Sequence, residues 1–271
     1  KVCLFYLDND PIKLLSSRFL IATTIMTLMI LLGFQTVSYR GKPLFLILIA
    51  CLFGQAIGNY CENAATMYMP ISQISLLTSL LPMAVLIFSA LINREYPQTK
   101  ELFFFALSII GVLVVRLKGL NTGGATITGF VLMLISILSI AIQRTIFRRA
   151  SAFFTSFELT YAMMVFGSLY FTTVSLIKNT IAGTLAYYLD AYTNAFLWPA
   201  LLYNGIGMGV CGFFFLNYTI ANLPVPLSQS ISNFSIIVGV FAGVVLSGEN
   251  MGIGDAIGAV LILAGAFGLS L

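Results

Sequence analysis

Five polar side chains interrupt an apolar run near the start of the chain. Gln55, Asn59, Glu62, Asn63 and Thr66 recur at spacings of three and four, which places them along one face of a helix. Buried polar groups need partners, so this stripe must face a neighbouring helix or a water-filled cavity. Its chemistry is that of amides, which both donate and accept, plus one carboxylate able to meet a cation or a proton. Glu62 carries the most information, because ionisable groups inside apolar spans are costly and often mark pathways. Three readings of it stand side by side: a cavity or gating role, structural hydrogen bonding, and placement at the interface near a helix end. Proton sensing would need a carboxylate pKa raised by desolvation.

A second polar group flanks two prolines. Gln73, Ser75, Thr78 and Ser79 follow Pro70, while Ser228, Gln229, Ser230, Ser232 and Asn233 follow Pro224. They can offer donors and acceptors to a solute, or they can bond helix to helix for about 0.6 kcal/mol each. Tyr203, Asn204, Asn217 and Tyr218 add amphipathic surface to a later segment, with Phe213, Phe214, Phe215 and Phe234 as candidates for an apolar wall. Gln143, Arg144, Glu158 and Tyr161 flank one connection, where an Arg144–Glu158 pair would be chiefly structural.

Other chemistry is poorly supplied. Histidine is absent, which removes imidazole as base, metal ligand and switch near neutral pH. Cys3, Cys51, Cys61 and Cys211 sit in apolar segments without a CxxC pair and read as buried small hydrophobes. No phosphate loop or metal-ligand cluster is present in the sequence, so no cofactor and no enzymatic activity are expected. A formal charge of +4, scattered along the chain, gives no reason to expect nucleic acid.

These residues must be positioned by membrane helices. The chain is 59% hydrophobic and 8% charged with a mean hydropathy of +1.02, whereas a soluble domain carries about 25% charged residues. A span needs about 20 mostly apolar residues. Nine such stretches appear, at 12–34, 44–67, 71–92, 101–118, 126–147, 154–177, 196–220, 227–247 and 252–271. Val2–Leu7 is too short to span and, with no initiating methionine, reads as the end of a truncated first helix. The expected total is ten.

Short polar turns join the stretches, including Asp8–Pro11, Ser38–Pro43, Asn93–Lys100 and Asn121–Gly124. Gly54/Gly58, Gly205/Gly209, Gly239/Gly243 and Gly254/Gly258 are GxxxG pairs that let helix backbones approach closely. With the N-terminus cytoplasmic, Arg40, Lys42, Arg94, Lys100, Arg144, Arg148 and Arg149 face the cytoplasm, seven against the five Lys13, Arg18, Arg116, Lys118 and Lys178.

The chain also echoes itself. Gly58, Asn63, Pro70, Glu95, Glu101 and Gly111 return as Gly212, Asn217, Pro224, Glu249, Asp255 and Gly265, always 154 residues on (212 minus 58). Glu101 and Asp255 open helices, where an acid meets the positive end of the dipole. An odd number of spans per half would orient the halves oppositely, an inverted repeat of the kind that supports alternating access in carriers. Glu62 has no acidic counterpart, because Leu216 stands at its matched position.

In these features the chain resembles the drug/metabolite transporter superfamily, and within it the EamA-like family, over nearly its whole length. Pro11 and Arg18, the stretches Gly58–Glu95 and Gly212–Glu249, and Gly111 with Gly265 carry the resemblance. Arg94-Glu95 departs from the Gly-Glu common in relatives, which the second half keeps as Gly248-Glu249.

The resemblance implies an all-α polytopic membrane protein of ten helices in two inverted five-helix repeats. The repeats would run over 1–118 (truncated at its start) and 119–271, together forming one transmembrane domain. It also implies a cavity gathering Asn59, Glu62, Asn63, Ser75, Ser79, Asn217, Gln229 and Asn233, to which Tyr203 and Phe214 are added as substrate-binding candidates. Arg18, Pro70, Glu95, Pro224 and Glu249 are the gating or structural candidates.

The expected function is secondary transport of a small metabolite, an amino acid or a related amphipathic or cationic compound, outward and by alternating access. A channel-like facilitator and a transport-inactive structural or receptor protein are the alternatives. Expected partners are the solute, the lipid bilayer of the inner (plasma) membrane and a coupling proton, with the chain a monomer or weak homodimer.

Overall fold

The first helix, α1, spans Pro11–Leu31 and shows how local chemistry sets element ends. Asp10 caps it, its carboxylate accepting from the Ile12 N–H at 2.9 Å, and Pro11 fills the first turn, where no N–H is needed. At the far end Gly33 takes a φ of 77°, with Gly33 N–H donating to the Ile30 carbonyl and Phe34 N–H to that of Met29. That left-handed closure suits glycine, which has no Cβ to clash.

A computed structural model describes residues 7, 10–93, 103–104, 106–107, 110–111, 114, 126–184, 193, 195–223 and 253–268. Within these, α2 covers Leu44–Ala65, α3 Ile71–Thr78, α4 Leu81–Ile92, α5 Ile127–Ala150, α6 Ser156–Ile181, α7 Leu197–Asn222 and α8 Ile253–Gly268. α6 opens with a capping box, Thr155 and Glu158 each bonding the other's backbone N–H. The step from α3 to α4 falls before Pro82, which lacks an N–H and crowds the preceding turn.

Two helices are not α throughout. α2 winds as a π-helix over Leu52–Asn59, and α7 does so over Tyr203–Gly212. Adding the 154-residue offset to the first gives 206–213 (52 plus 154 to 59 plus 154), which overlaps the second. The two π segments thus occupy matching places in the repeated pattern, and π turns recur at functional sites in proteins generally.

The expectation of ten spans in two inverted five-helix repeats is corrected here. Among the described residues, six helices are long and apolar enough to cross a membrane: Pro11–Leu31, Leu44–Ala65, Gln73–Ile92, Ile127–Ala150, Ser156–Ile181 and Leu197–Asn222. The fold is all-α and polytopic with about six long apolar helices. A hydropathy window registers apolar content, whereas a span also needs an unbroken helix of matching length. α8 is described over 16 residues, a rise of about 24 Å, and the residues that border it on both sides lie outside those described. Of the remaining expected spans, 227–247 and the truncated first helix lie outside the described residues apart from Leu7, and 101–118 is described at a few positions only.

The chain divides into two compact units, Lys1–Tyr60 with Ile146–Ala221, and Cys61–Thr145 with Asn222–Leu271. In the first unit α1 packs chiefly on α6 and on the π segment of α7. Phe19 lies fully buried and stacks on Phe171, ring centroids 5.7 Å apart. Gly205 and Gly209 bring the π segment against α1: a Cβ on Gly205 would stand 2.6 Å from Ile21, and one on Gly209 3.0 Å from the Ala22 Cβ. That GxxxG pair therefore acts by close approach. The second unit is built around Met69, Leu76, Leu77, Leu81 and Val85, with Met133, Ile137 and Ala141 of α5 packed on them at a spacing of four. Large apolar side chains such as Leu20, Leu28, Leu91, Leu138 and Leu169 lie exposed, a surface that lipid covers and water would not.

Gly167 sets the distance between α1 and α6, since a Cβ there would fall 2.7 Å from the Phe19 ring. Gly167→Ala should lower stability by about 1–3 kcal/mol, read as a fall in the thermal midpoint of the detergent-purified protein, with Phe19→Leu recovering part of the loss. Gly207→Ala, whose added carbon would meet Tyr203 at an ordinary 3.4 Å, should leave the midpoint in place. Equal midpoints for all three proteins and the wild type would refute the close contact.

Candidate functional site

Within the first unit, α1 and the π segment of α2 meet at a buried polar node. Arg18 donates from Nη2 to Asn59 Oδ1 at 3.1 Å. Asn59 Nδ2 in turn donates to the Gly54 carbonyl at 3.0 Å and to Gln55 Oε1 at 2.9 Å. The guanidinium also lies 4.9 Å from the Phe19 ring centroid and 5.3 Å from that of Phe213, positions in which a cation is drawn to the ring face. Arg18 is 3% exposed and Gln55 0%. A planar, permanently charged group held by an amide and two rings is well suited to fixed recognition.

A second polar contact in this unit joins α7 to α6. Asn217 Nδ2 donates to Thr160 Oγ1 at 2.9 Å and lies 3.2 Å from Met163 Sδ. In the first turn of α6, Glu158 accepts from Lys42 Nζ at 2.7 and 2.9 Å, from the Ser38 N–H at 2.9 Å and from the Thr155 N–H at 2.9 Å. The expected Arg144–Glu158 pairing gives way to Lys42, because the turn before α2 brings its ammonium to the capped end of α6. Tyr39 donates to the Glu158 carbonyl at 2.8 Å. Burial first, and the Glu158 charge second, push its phenol above the ordinary range.

In the second unit Glu62 and Asn63 are half-buried on the last turns of α2, and the Glu62 carboxylate acts electrostatically on the Arg144 guanidinium. Thr66 Oγ1 donates to the Asn63 carbonyl at 2.7 Å. Ser79 is buried and donates to the Leu76 carbonyl, so its hydroxyl serves its own helix turn. Ser75 is half-buried on α3. Pro70 lies just before α3 at φ −59° and ψ 150°, the extended form that starts a helix.

The sequence-derived candidates therefore divide. Arg18 and Asn59 are joined directly, and Asn217 lies in the same unit on a separate pair of partners. Glu62, Asn63, Ser75, Ser79 and Pro70 belong to the second unit. Tyr203 is 77% exposed at the start of its π segment, and Phe214 is half-buried. Glu95, Pro224, Gln229, Asn233 and Glu249 lie outside the described residues. Three features escaped the sequence reading: Gln55 as a full member of the node, Lys42 as the partner of Glu158, and the π segments. The four-residue spacing of Gln55 and Asn59 was a usable signal for the first. The glycine density of 205–212 was one for the third.

Cys51 and Cys61 are buried free thiols, as expected, whereas Cys211 is exposed and so departs from the buried reading. Among the described residues no group of three or more acidic or thiol side chains is placed to hold a metal ion.

Long apolar helices that turn leucine outward and hold arginine, glutamate and amides inward define a multi-pass membrane protein. The family profile described as "EamA-like transporter family" matches residues 5–117 and 127–271, and the chain belongs to that family, within the drug/metabolite transporter superfamily. It is similar to "Uncharacterized transporter YcxC" of Bacillus subtilis (strain 168), 28% identical over 260 residues, which cover 96% of this chain and 83% of the relative. "Uncharacterized transporter YetK" of the same organism is 22% identical over 267 residues, 96% of this chain and 78% of the relative. A transporter of Archaeoglobus fulgidus is 28% identical over 160 residues, 59% of this chain and 55% of its own length. A solved crystal structure shares the fold with a TM-score of 0.69 at 17% identity, covering 98% of this chain and 89% of that one. The chain is accordingly a small-molecule secondary transporter, and its family is a transport class and not a catalytic one.

The Lys42–Glu158 pair is testable on its own. Because Lys42 is partly exposed, a double-mutant cycle with Lys42→Met and Glu158→Gln should return a coupling of about 1 kcal/mol in thermal unfolding. Additive losses would mean that the pair contributes nothing as a pair.

Proposed function

We propose that this transporter moves an amino acid or a related amphipathic, cationic metabolite outward by alternating access, with Glu62 meeting the positive charge of the solute. The supporting observation is the half-buried Glu62 on an apolar helix, within electrostatic reach of Arg144 on another. Charged groups at such depth are costly to retain and tend to line solute or proton paths. A carboxylate beside a guanidinium can exchange that partner for a solute amine, or take up a proton, as the site opens and closes.

In this reading Asn63, beside Glu62 on the last turns of α2, orients a polar end of the solute. Residues 1–118 and 119–271 serve as its two modules, a division supported by the two stretches that the family profile matches, 5–117 and 127–271. The protein works in the inner (plasma) membrane as a monomer or weak homodimer, with a proton as the coupling ion.

Two measurements test this. A thermal-stability screen of the purified protein against amino acids, polyamines and lipophilic cations should raise the midpoint for one class, since a ligand that binds only the folded state stabilises it. Export assays in membrane vesicles with Glu62→Gln should then show cationic-solute transport reduced about tenfold or more, with its pH dependence flattened. Unchanged transport and an unchanged pH profile would reject the role of Glu62. Conduction that never saturates would favour a channel-like facilitator instead.

A further inference from the structure

At one end of the first unit, cations outnumber acids. α1 and α6 run antiparallel: Asp10 meets Lys178, Ser16 Oγ lies 3.1 Å from Thr172 Oγ1, and Thr27 Oγ1 lies 3.3 Å from the Tyr161 hydroxyl. The end of α1 therefore stands beside the start of α6, and two connections meet there. From the turn between α1 and α2, Ser38 and Lys42 bond the Glu158 carboxylate, and Tyr39 bonds the Glu158 carbonyl. From the turn before α6, the Phe154 ring centroid lies 6.1 Å from that of Tyr39 and 5.3 Å from Lys42 Nζ.

These two connections bring together Arg40, Lys42, Arg148 and Arg149. Along the sequence no acid stands between Asp10 and Glu62, and Glu158 alone stands between Glu101 and Asp190. Glu158 is buried and Lys42 neutralises it. Arg148 donates to the Ile220 carbonyl at 3.3 Å. Arg40 and Arg149 are exposed, and among the described residues neither has a hydrogen bond or an ion pair. The opposite end of the helix pair differs: there Lys178 is held by Asp10, and Lys13 is buried.

The exposed arginines have apolar company. Leu31, Leu32 and Phe34 at the end of α1, and Phe153 four residues after Arg149, are all exposed. Water is a poor solvent for those side chains and hydrocarbon a poor one for arginine. The headgroup level suits both, and long basic and aromatic side chains collect there. A guanidinium fork matches phosphate oxygens, and anionic lipids attract basic residues at the membrane surface.

We propose that the paired connections 38–42 and 148–155 form a docking surface for the headgroups of anionic phospholipids, with Arg40 and Arg149 as the contacting cations. A zwitterionic headgroup brings its own ammonium, which opposes the attraction to such a patch. This surface is separate from the transport reading and holds whatever the solute.

The test uses the full chain in a non-ionic detergent. Phosphatidylglycerol or phosphatidylcholine with the same acyl chains is titrated into the micelles, and the thermal midpoint is read. Phosphatidylglycerol should raise it more at equal mole fraction, since a ligand of the folded state stabilises that state. Arg40→Gln and Arg149→Gln should each weaken the apparent affinity about fivefold, and the double variant should respond to the two lipids alike. Should the double variant fold poorly, the single variants decide. Lys178→Gln, at the opposite end, should keep the wild-type difference between the lipids, whatever its own midpoint. A phosphatidylglycerol shift retained in the arginine variants overturns the proposal, as does a wild type that responds equally to both lipids. Loss of the difference in Lys178→Gln would mean a response to net charge alone and would overturn the assignment to these turns. Inorganic phosphate that reproduces the shift without lipid would assign the arginines to a free anion and overturn it too.

Discussion

A polar group placed among apolar side chains must find its partner inside the protein, and most of this structure follows from that requirement. In a hydrocarbon surrounding, the backbone can meet it only by forming helices. Side chains meet it wherever they can reach. Ser17, Thr24, Thr78, Thr145 and Thr160 turn their hydroxyls back onto the carbonyl four residues earlier. Each hydroxyl proton is thereby satisfied within its own helix, and the Thr160 oxygen in addition accepts from Asn217 on another.

The groups too large or too charged for that solution are the ones that join helices. Arg18 bridges α1 to α2 through Asn59, Asn217 ties α7 to α6, and Glu158 gathers the turn before α2 onto the start of α6. Such joints need close helices, and small residues provide them. Gly167 beneath Phe19, and Gly205 and Gly209 against Ile21 and Ala22, bring α1 within reach of both partners. Packing and polar recognition thus share one element, α1. A helix so placed couples any shift of its neighbours to the environment of Arg18.

The π segments extend this connection. Each occurs in a glycine-containing stretch, and Leu52–Asn59 carries the amides of the node. A π turn holds one residue more than an α turn and shifts the register of every side chain beyond it. The face that Gln55 and Asn59 present is therefore not simply continued by Glu62 and Asn63. This is why a stripe that is regular in sequence divides into a fully buried part and a half-buried part.

Composition alone determined that the chain is helical and crosses a membrane, since apolar runs with so few charges have no other stable home. It also determined which residues were chemically noteworthy: Arg18, Asn59, Glu62 and Asn217 were all legible as polar groups in apolar runs. The number of spans was not, because hydropathy counts apolar residues, whereas crossing depends on an unbroken helix of sufficient rise, which six helices show among the described residues. Nor were the partnerships. Lys42 lies 116 residues from Glu158, and Arg18 lies 41 from Asn59, and nothing along the chain marks those distances as contacts. Only tertiary structure decided that Lys42 would be taken up by Glu158 while Arg40 stays exposed, because that follows from how two turns distant in sequence pack together.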